Sequence, residues 1–183
     1  MDVAEVGTRQ IVALQGAASS VIQDLLDELA KRLAGMGLRV SGVIESSVDK
    51  TRPCKAMMLR SLDDGSVFSI SQDLGPGSQA CHLDPEGLVL ACAAVEQSIA
   101  RGTDVVILSK FGKQEAAGSG LADAFGSAIS AGLPVITAVS PAMMGEWQNY
   151  TGGLAEYVPA EIARRAAWLT DWSRRVMTSR ACV

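Results

Sequence analysis

The sequence predicts an α/β protein, a mostly parallel sheet with helices on both faces and an inserted β-hairpin. Three observations carry this. Short apolar runs alternate with amphipathic stretches along the chain. The run Asp104-Val105-Val106-Ile107-Leu108-Ser109 is apolar at consecutive positions, as a strand covered on both faces must be. Between two alternating segments stands Asp63-Asp64-Gly65, a tight-turn signature. A chain of 183 residues, 48% hydrophobic and 20% charged, suits one domain over residues 1–183. Aromatics make up only 4%, so the core is aliphatic, with Ala and Gly allowing helices close to the sheet.

The elements follow in order. A first strand, Gln10-Ile11-Val12-Ala13-Leu14-Gln15, ends in the small-residue turn Gly16-Ala17-Ala18-Ser19-Ser20. A helix over 21–33 and a strand over 38–44 come next. Residues 57–62 and 66–71 flank the Asp-Gly turn as a hairpin, and a Gly-rich loop follows at 72–78. Asp84-Pro85-Glu86 offers an N-cap with proline at the first helical position, opening a helix that Arg101-Gly102 closes. Beyond the strand at 104–109, the spacing predicts a helix over 121–131, stopped by Gly132 and Pro134, and a strand over 135–139. A short helix at 143–150 ends at Gly152-Gly153, and 154–158 reads as an edge strand. A last helix over 160–177 carries Ile162, Leu169, Trp172 and Val176 at helical spacing.

Composition excludes several classes of function. A net charge of −4 argues against general nucleic-acid binding, which needs a basic face to displace counterions. Residues 1–6 lack a basic stretch followed by an apolar one, so a secretory leader is not expected. No apolar run approaches the roughly 18 residues that span a bilayer. Cys54, Cys81, Cys92 and Cys182 show no CxxC pairing and read as free thiols. The expectation is a soluble, cytoplasmic protein with no membrane partner.

Strand, small-residue turn, helix, strand is the layout of a phosphate-binding P-loop. That motif reads G-x-x-x-x-G-K-[ST], yet after Gly16 the chain has Val21, Ile22 and Gln23 where Gly, Lys and Ser/Thr belong. The lysine that reaches the phosphates and the hydroxyl that holds Mg²⁺ are both replaced. The Gly16, Ala17, Ser19 and Ser20 turn keeps small residues whose N–H groups suit an anion at a helix N-terminus. The alternative is an ordinary turn into a capped helix.

A second loop, from Ser109 to Gly120, follows the central strand. Where P-loop proteins end that strand in a magnesium-organising Asp, this chain has Ser109 and Lys110. Lys110 and Lys113 beside Gly118-Ser119-Gly120 suit an anion rather than a cation. The alternative is a solvated loop in which Lys113 and Glu115 face water. A third group, Arg52 and Lys55 with Lys50, lies before the hairpin and is a candidate lid over the same site.

Cys81-His82-Leu83-Asp84 holds the lone histidine, but Asp84 already serves as an N-cap and no second ligand pair accompanies it. Neither a metal site nor a Cys–His catalytic pair is expected. Trp168 and Trp172, one helical turn apart, suit packing of the last helix or a subunit contact in a homo-oligomer.

The phrases Gly75-Pro76-Gly77-Ser78, Cys81-His82-Leu83-Asp84-Pro85 and above all Phe111-Gly112-Lys113-Gln114-Glu115-Ala116-Ala117-Gly118-Ser119-Gly120 resemble a bacterial domain-of-unknown-function family. That family is grouped with P-loop nucleoside-triphosphatase-like proteins, and its genes often lie near molybdate transport genes. The similarity runs from about Gln10 to Trp172. It implies a P-loop-like α/β fold and a link to molybdate or another tetrahedral oxyanion. More distantly, the layout is similar to small nucleoside-triphosphatases whose central strand ends in acidic residues, a pattern from which Ser109 and Lys110 depart.

The leading expectation is a non-catalytic protein that binds a small anion (molybdate, tungstate or a phosphate-like ion) in the former phosphate site. The ligand set is Gly16, Ala17, Ser19, Ser20, Lys110, Lys113, Gly118, Ser119 and Gly120, closed over by Arg52 or Lys55. The alternative is a nucleotide-binding protein or NTPase with a non-standard loop. The sequence assigns no cofactor.

Overall fold

The computed structural model describes residues 10–46, 57–72 and 82–181. Its main sheet has seven strands in the order β4-β3-β2-β7-β8-β1-β9. The strands are β1 (Ile11–Gln15), β2 (Val40–Ser46), β3 (Met58–Ser61), β4 (Val67–Ser69), β7 (Val105–Phe111), β8 (Val135–Val139) and β9 (Ala155–Pro159). Five of them, β2-β7-β8-β1-β9, run parallel. The hairpin β3-β4 adds to β2 antiparallel at one edge, and β9 forms the other. A separate two-stranded ribbon pairs β5 (Ser71–Gln72) with β6 (His82–Leu83).

The period-2 alternation of strand side chains divides the core in two. Ile11 and Ala13 of β1, Val106 and Leu108 of β7, and Val135 and Val139 of β8 face one layer. That layer holds α2 (Pro85–Arg101), α4 (Ala122–Ser130) and α5 (Met144–Thr151). Val12, Leu14, Val105, Ile107 and Ile136 face the other, against α1 (Ser19–Gly35), α6 (Ala160–Ala163) and α7 (Ala166–Ala181). Parallel strands buried on both faces need consecutive apolar residues, which is why β7 reads as an unbroken hydrophobic run.

This arrangement positions the site. The chain leaves β1 toward α1 on one face, while adjacent β8 leads through a 3₁₀ turn (Pro141–Met143) to α5 on the other. Connections that part between neighbouring parallel strands open a crevice at their carboxyl ends, where α/β proteins bind ligands. The residue after β1 is Gly16, so the small-residue turn lies at that switch point.

Several boundaries differ from expectation, each for a local reason. Helix α1 begins at Ser19, not at residue 21, so the turn contracts to residues 16–18. The last helix is two helices, α6 and α7, parted at Arg164 and Arg165. Strand β7 continues two residues past Ser109 to Phe111. A register shift against β8 lies between Leu108 and Phe111. Such a bulge adds one residue and returns the next side chain to the same face. Phe111 thereby enters an aromatic group with Phe125, Trp147 and Tyr150, at ring separations of 5.8, 4.9 and 5.2 Å. The Tyr150 hydroxyl donates to the Ala122 carbonyl at 3.0 Å and ties α5 to α4.

Candidate functional site

At the switch point, Gly16 has φ +83°, a left-handed conformation that glycine adopts without strain. It turns the chain from β1 through Ala17 to Ala18, the extended N-cap residue of α1. Alanine carries no oxygen, and among the described residues no other side chain caps this helix. Its first turn contains no acidic residue, and the first i→i−4 bond runs from Ile22 N–H to Ala18 C=O at 3.1 Å. The amides of Ser19, Ser20 and Val21 precede that bond. Residues 16–21 are all exposed. Seventeen aligned peptide units end here, and the positive pole of their dipole faces solvent without a neutralising group among the described residues. Such a helix terminus presents backbone donors and a positive potential at the switch point.

The next two residues of the motif spacing are buried. Ile22, at the position of the phosphate-binding lysine, is 6% exposed and packs into the core between α1 and the sheet. Gln23, at the position of the magnesium-ligating hydroxyl, is 5% exposed. Its Nε2 donates to the Ser109 carbonyl at 2.7 Å, and its Oε1 accepts from the Glu45 N–H at 2.9 Å. One side chain therefore joins α1 to the carboxyl ends of β7 and β2. Beside it, Lys110 Nζ pairs with Glu45 Oε1 at 2.5 Å. The lysine expected to balance an anion has its charge engaged by a carboxylate on the neighbouring strand. The sequence reading missed Gln23 and Glu45. The signal available was a long amide side chain in place of a short hydroxyl at a buried helix position.

In the second loop, Glu115 does not face water. It is 6% exposed within the short helix α3 (Lys113–Ala116). Its carboxylate accepts from Gly112 N–H at 2.9 Å and from Leu121 N–H at 3.0 Å, closing the loop onto itself. Gly120 has φ +61°, and an added Cβ would collide with Glu115 Oε1. The Gly118 N–H donates to Glu115 C=O at 3.0 Å and the Ser119 N–H to Gln114 C=O at 2.9 Å. Ser119 Oγ bonds Gln114 Oε1 at 2.8 Å. These donors satisfy the turn from within. Lys113 is exposed.

Arg52 and Lys55, with Lys50, Cys54 and Cys81, lie outside the described residues, as does the Gly75–Ser78 phrase. Asp84 acts as the expected N-cap, accepting from Glu86 N–H at 3.0 Å. Cys92 is buried, and burial first, then the Glu96 and Asp123 carboxylates, push its thiol pKa up against opposing backbone hydrogen bonds. No cluster of three metal-ligating side chains occurs among the described residues. No helix among them is long and apolar enough to cross a membrane. Trp168 and Trp172 stack with ring centroids 5.9 Å apart; Trp172 is fully buried against the sheet, which accounts for it as packing.

Comparison with known proteins gives the family and the fold. Residues 11–168 match the family described as protein of unknown function, DUF2478, and the chain belongs to that family. It is 35% identical over 181 residues to the molybdenum import ATP-binding protein ModC 2 of Bradyrhizobium diazoefficiens. That match covers 98% of this chain and 20% of the relative, so the chain spans about one fifth of the relative's length. Among solved structures it resembles a human cancer-related nucleoside triphosphatase, with TM-score 0.62, 17% identity, and 93% and 97% of the two chains covered. It also resembles THEP1 from the hyperthermophile Aquifex aeolicus, with TM-score 0.60, 16% identity, and 88% and 94% covered. The fold is that of P-loop nucleoside-triphosphatases.

Proposed function

We propose that this member of the DUF2478 family binds a small tetrahedral oxyanion at the N-terminus of α1, independently of magnesium and without hydrolysis. One observation carries the reading: among the described residues, the α1 terminus is uncapped, exposed and without an acidic residue in its first turn. The residues that would hold a metal are meanwhile replaced by the Gln23 clamp. Amides at a helix N-terminus present donors and a positive potential to an anion together. Gly16, Ala17, Ser19 and Ser20 form the contact set in this reading. Lys113, exposed on the loop after β7, supplies a balancing cation in this reading.

Molybdate is the first anion to try, because a relative carries molybdenum import in its name. In that relative, the unit homologous to this chain is part of a longer ATP-binding protein. We therefore place the chain beside such an import subunit in the cytoplasm, where it would hold or sense the imported ion. Calorimetric titration with molybdate, tungstate, sulfate and phosphate, with and without Mg²⁺, tests the reading. Saturable binding that Mg²⁺ leaves unchanged supports it. Binding of ATP or GTP that requires Mg²⁺, with anions inert, replaces it by the nucleotide reading that the fold alone would suggest.

A further inference from the structure

Helix α2 buries Leu88, Ala91, Cys92 and Val95 in the core layer that it shares with α4 and α5. By the same 3.6-residue period its opposite side faces solvent, where a surface helix ordinarily carries charged residues. Here Val89 is 62% and Leu90 56% exposed. Partly exposed Ala93 and Ala94 and exposed Gln97 continue that side. Glu96, at its flank, is engaged by Ser127 Oγ of α4 at 2.8 Å.

Charge on this side is confined to its two ends. Glu86 stands in the first turn and Arg101 in the last, both exposed. Residues 86, 90, 93, 97 and 101, spaced three or four apart, form one stripe along the helix. Neither end charge has an ion-pair partner among the described residues; Arg101 donates only to the uncharged Ser98 Oγ, at 3.0 Å.

A face that is acidic at one end, basic at the other and apolar between is complementary to itself. A second copy laid antiparallel, about a two-fold axis between Ala93 and Ala94, sets Glu86 against Arg101 and Leu90 against the stem of Gln97. The symmetry makes each contact twice. Alanines at the crossing allow the close end of the roughly 8–10 Å separations of packed helices. A parallel copy would oppose like charges at both ends. A partner carrying one sign of charge would match one end and repel the other.

We infer that this face of α2 is the interface of a homodimer, packed through Leu90, Ala93 and Ala94 and fixed in register by Glu86 and Arg101. The inference does not rest on the oxyanion reading, because α1 lies on the other face of the sheet. One helix per copy makes a contact smaller than the roughly 1,200–2,000 Å² of standard interfaces, so the dimer is weak and reversible.

Sedimentation equilibrium of the intact chain, over a concentration series up to about 1 mM, should follow a monomer–dimer equilibrium. Leu90→Asp should weaken association at least tenfold. Glu86→Arg and Arg101→Glu, each of which opposes like charges twice per dimer, should do the same. An equimolar mixture of those two single variants restores opposite charges at both ends. It should associate at least tenfold more tightly than either variant alone, a gain that misfolding cannot produce. A chain that stays monomeric throughout, a dimer insensitive to Leu90→Asp, or a mixture no tighter than its components would each overturn the inference.

Discussion

The side-chain amide of Gln23 donates to the backbone carbonyl of Ser109 across 2.7 Å. The two residues stand where a P-loop protein has its magnesium-ligating hydroxyl and its metal-organising acid, eighty-six positions apart in sequence. Here they are joined by a direct hydrogen bond, and Gln23 also accepts from Glu45 N–H on the adjacent strand. Gln23→Ala leaves a buried carbonyl and a partly buried N–H unpaired, and each such group costs about 1–3 kcal/mol. We expect a loss of about 2–4 kcal/mol in urea unfolding. Gln23→Thr, which restores a hydroxyl, should lose comparable stability and gain no magnesium-dependent hydrolysis of ATP.

The absent cap offers a test that separates folding from binding. Ala18 has φ −61° and ψ 151°, the extended conformation of a capping residue. Ala18→Asp should cap α1 and complement its dipole, raising stability by about 0.5–2 kcal/mol. The same carboxylate should repel an anion. A variant that melts higher than wild type and no longer binds molybdate cannot have lost binding through misfolding.

The loop after β7 depends on Glu115. Glu115→Ala strands the Gly112 and Leu121 amides, with an expected cost of about 2–4 kcal/mol in denaturant unfolding. Glu115→Gln keeps one acceptor and should cost less. Gly120→Ala should also destabilise, because it adds a Cβ at φ +61° against the same carboxylate.

Acid sensitivity has a local origin at Asp27. Burial pushes its carboxyl up, but hydrogen bonds and charges from Lys31 and Arg60 outweigh this and hold its pKa below 3.8. A carboxyl depressed in the fold contributes stability that is complete above its unfolded value and fades as pH falls through the folded one. Urea midpoints on either side of pH 3.8 should fall more steeply for wild type than for Asp27→Asn.

Much of the fold was legible because its cues are local. Asp63-Asp64-Gly65 marked the hairpin, Asp84-Pro85 the start of α2, and the apolar run 105–108 the central strand. Gly152, at φ 60°, ended α5 as expected. What stayed hidden depended on contacts between distant residues. The β-bulge around Ser109 and Lys110 is set by the burial of Phe111 among aromatics from α4 and α5. Glu115 looked like a surface charge because nothing in its neighbourhood reveals that two amides six and three residues away need an acceptor. Lys110 read as a free cation because its partner lies on β2. The turn at Gly16 was legible from its small residues, and the contacts that cross from α1 and β7 to a second strand were not.

The central claim is that the α1 terminus binds an oxyanion without magnesium. A ligand at 100 times its Kd adds roughly 2.7 kcal/mol, a shift of about 5–10 °C for a domain of this size. The measurement is the melting temperature of wild type and Ala18→Asp in saturating molybdate, each with Mg²⁺ and with chelator. The account predicts the same upward shift for wild type in both conditions and none for the variant. A shift that requires Mg²⁺, or one that Ala18→Asp retains, would contradict it.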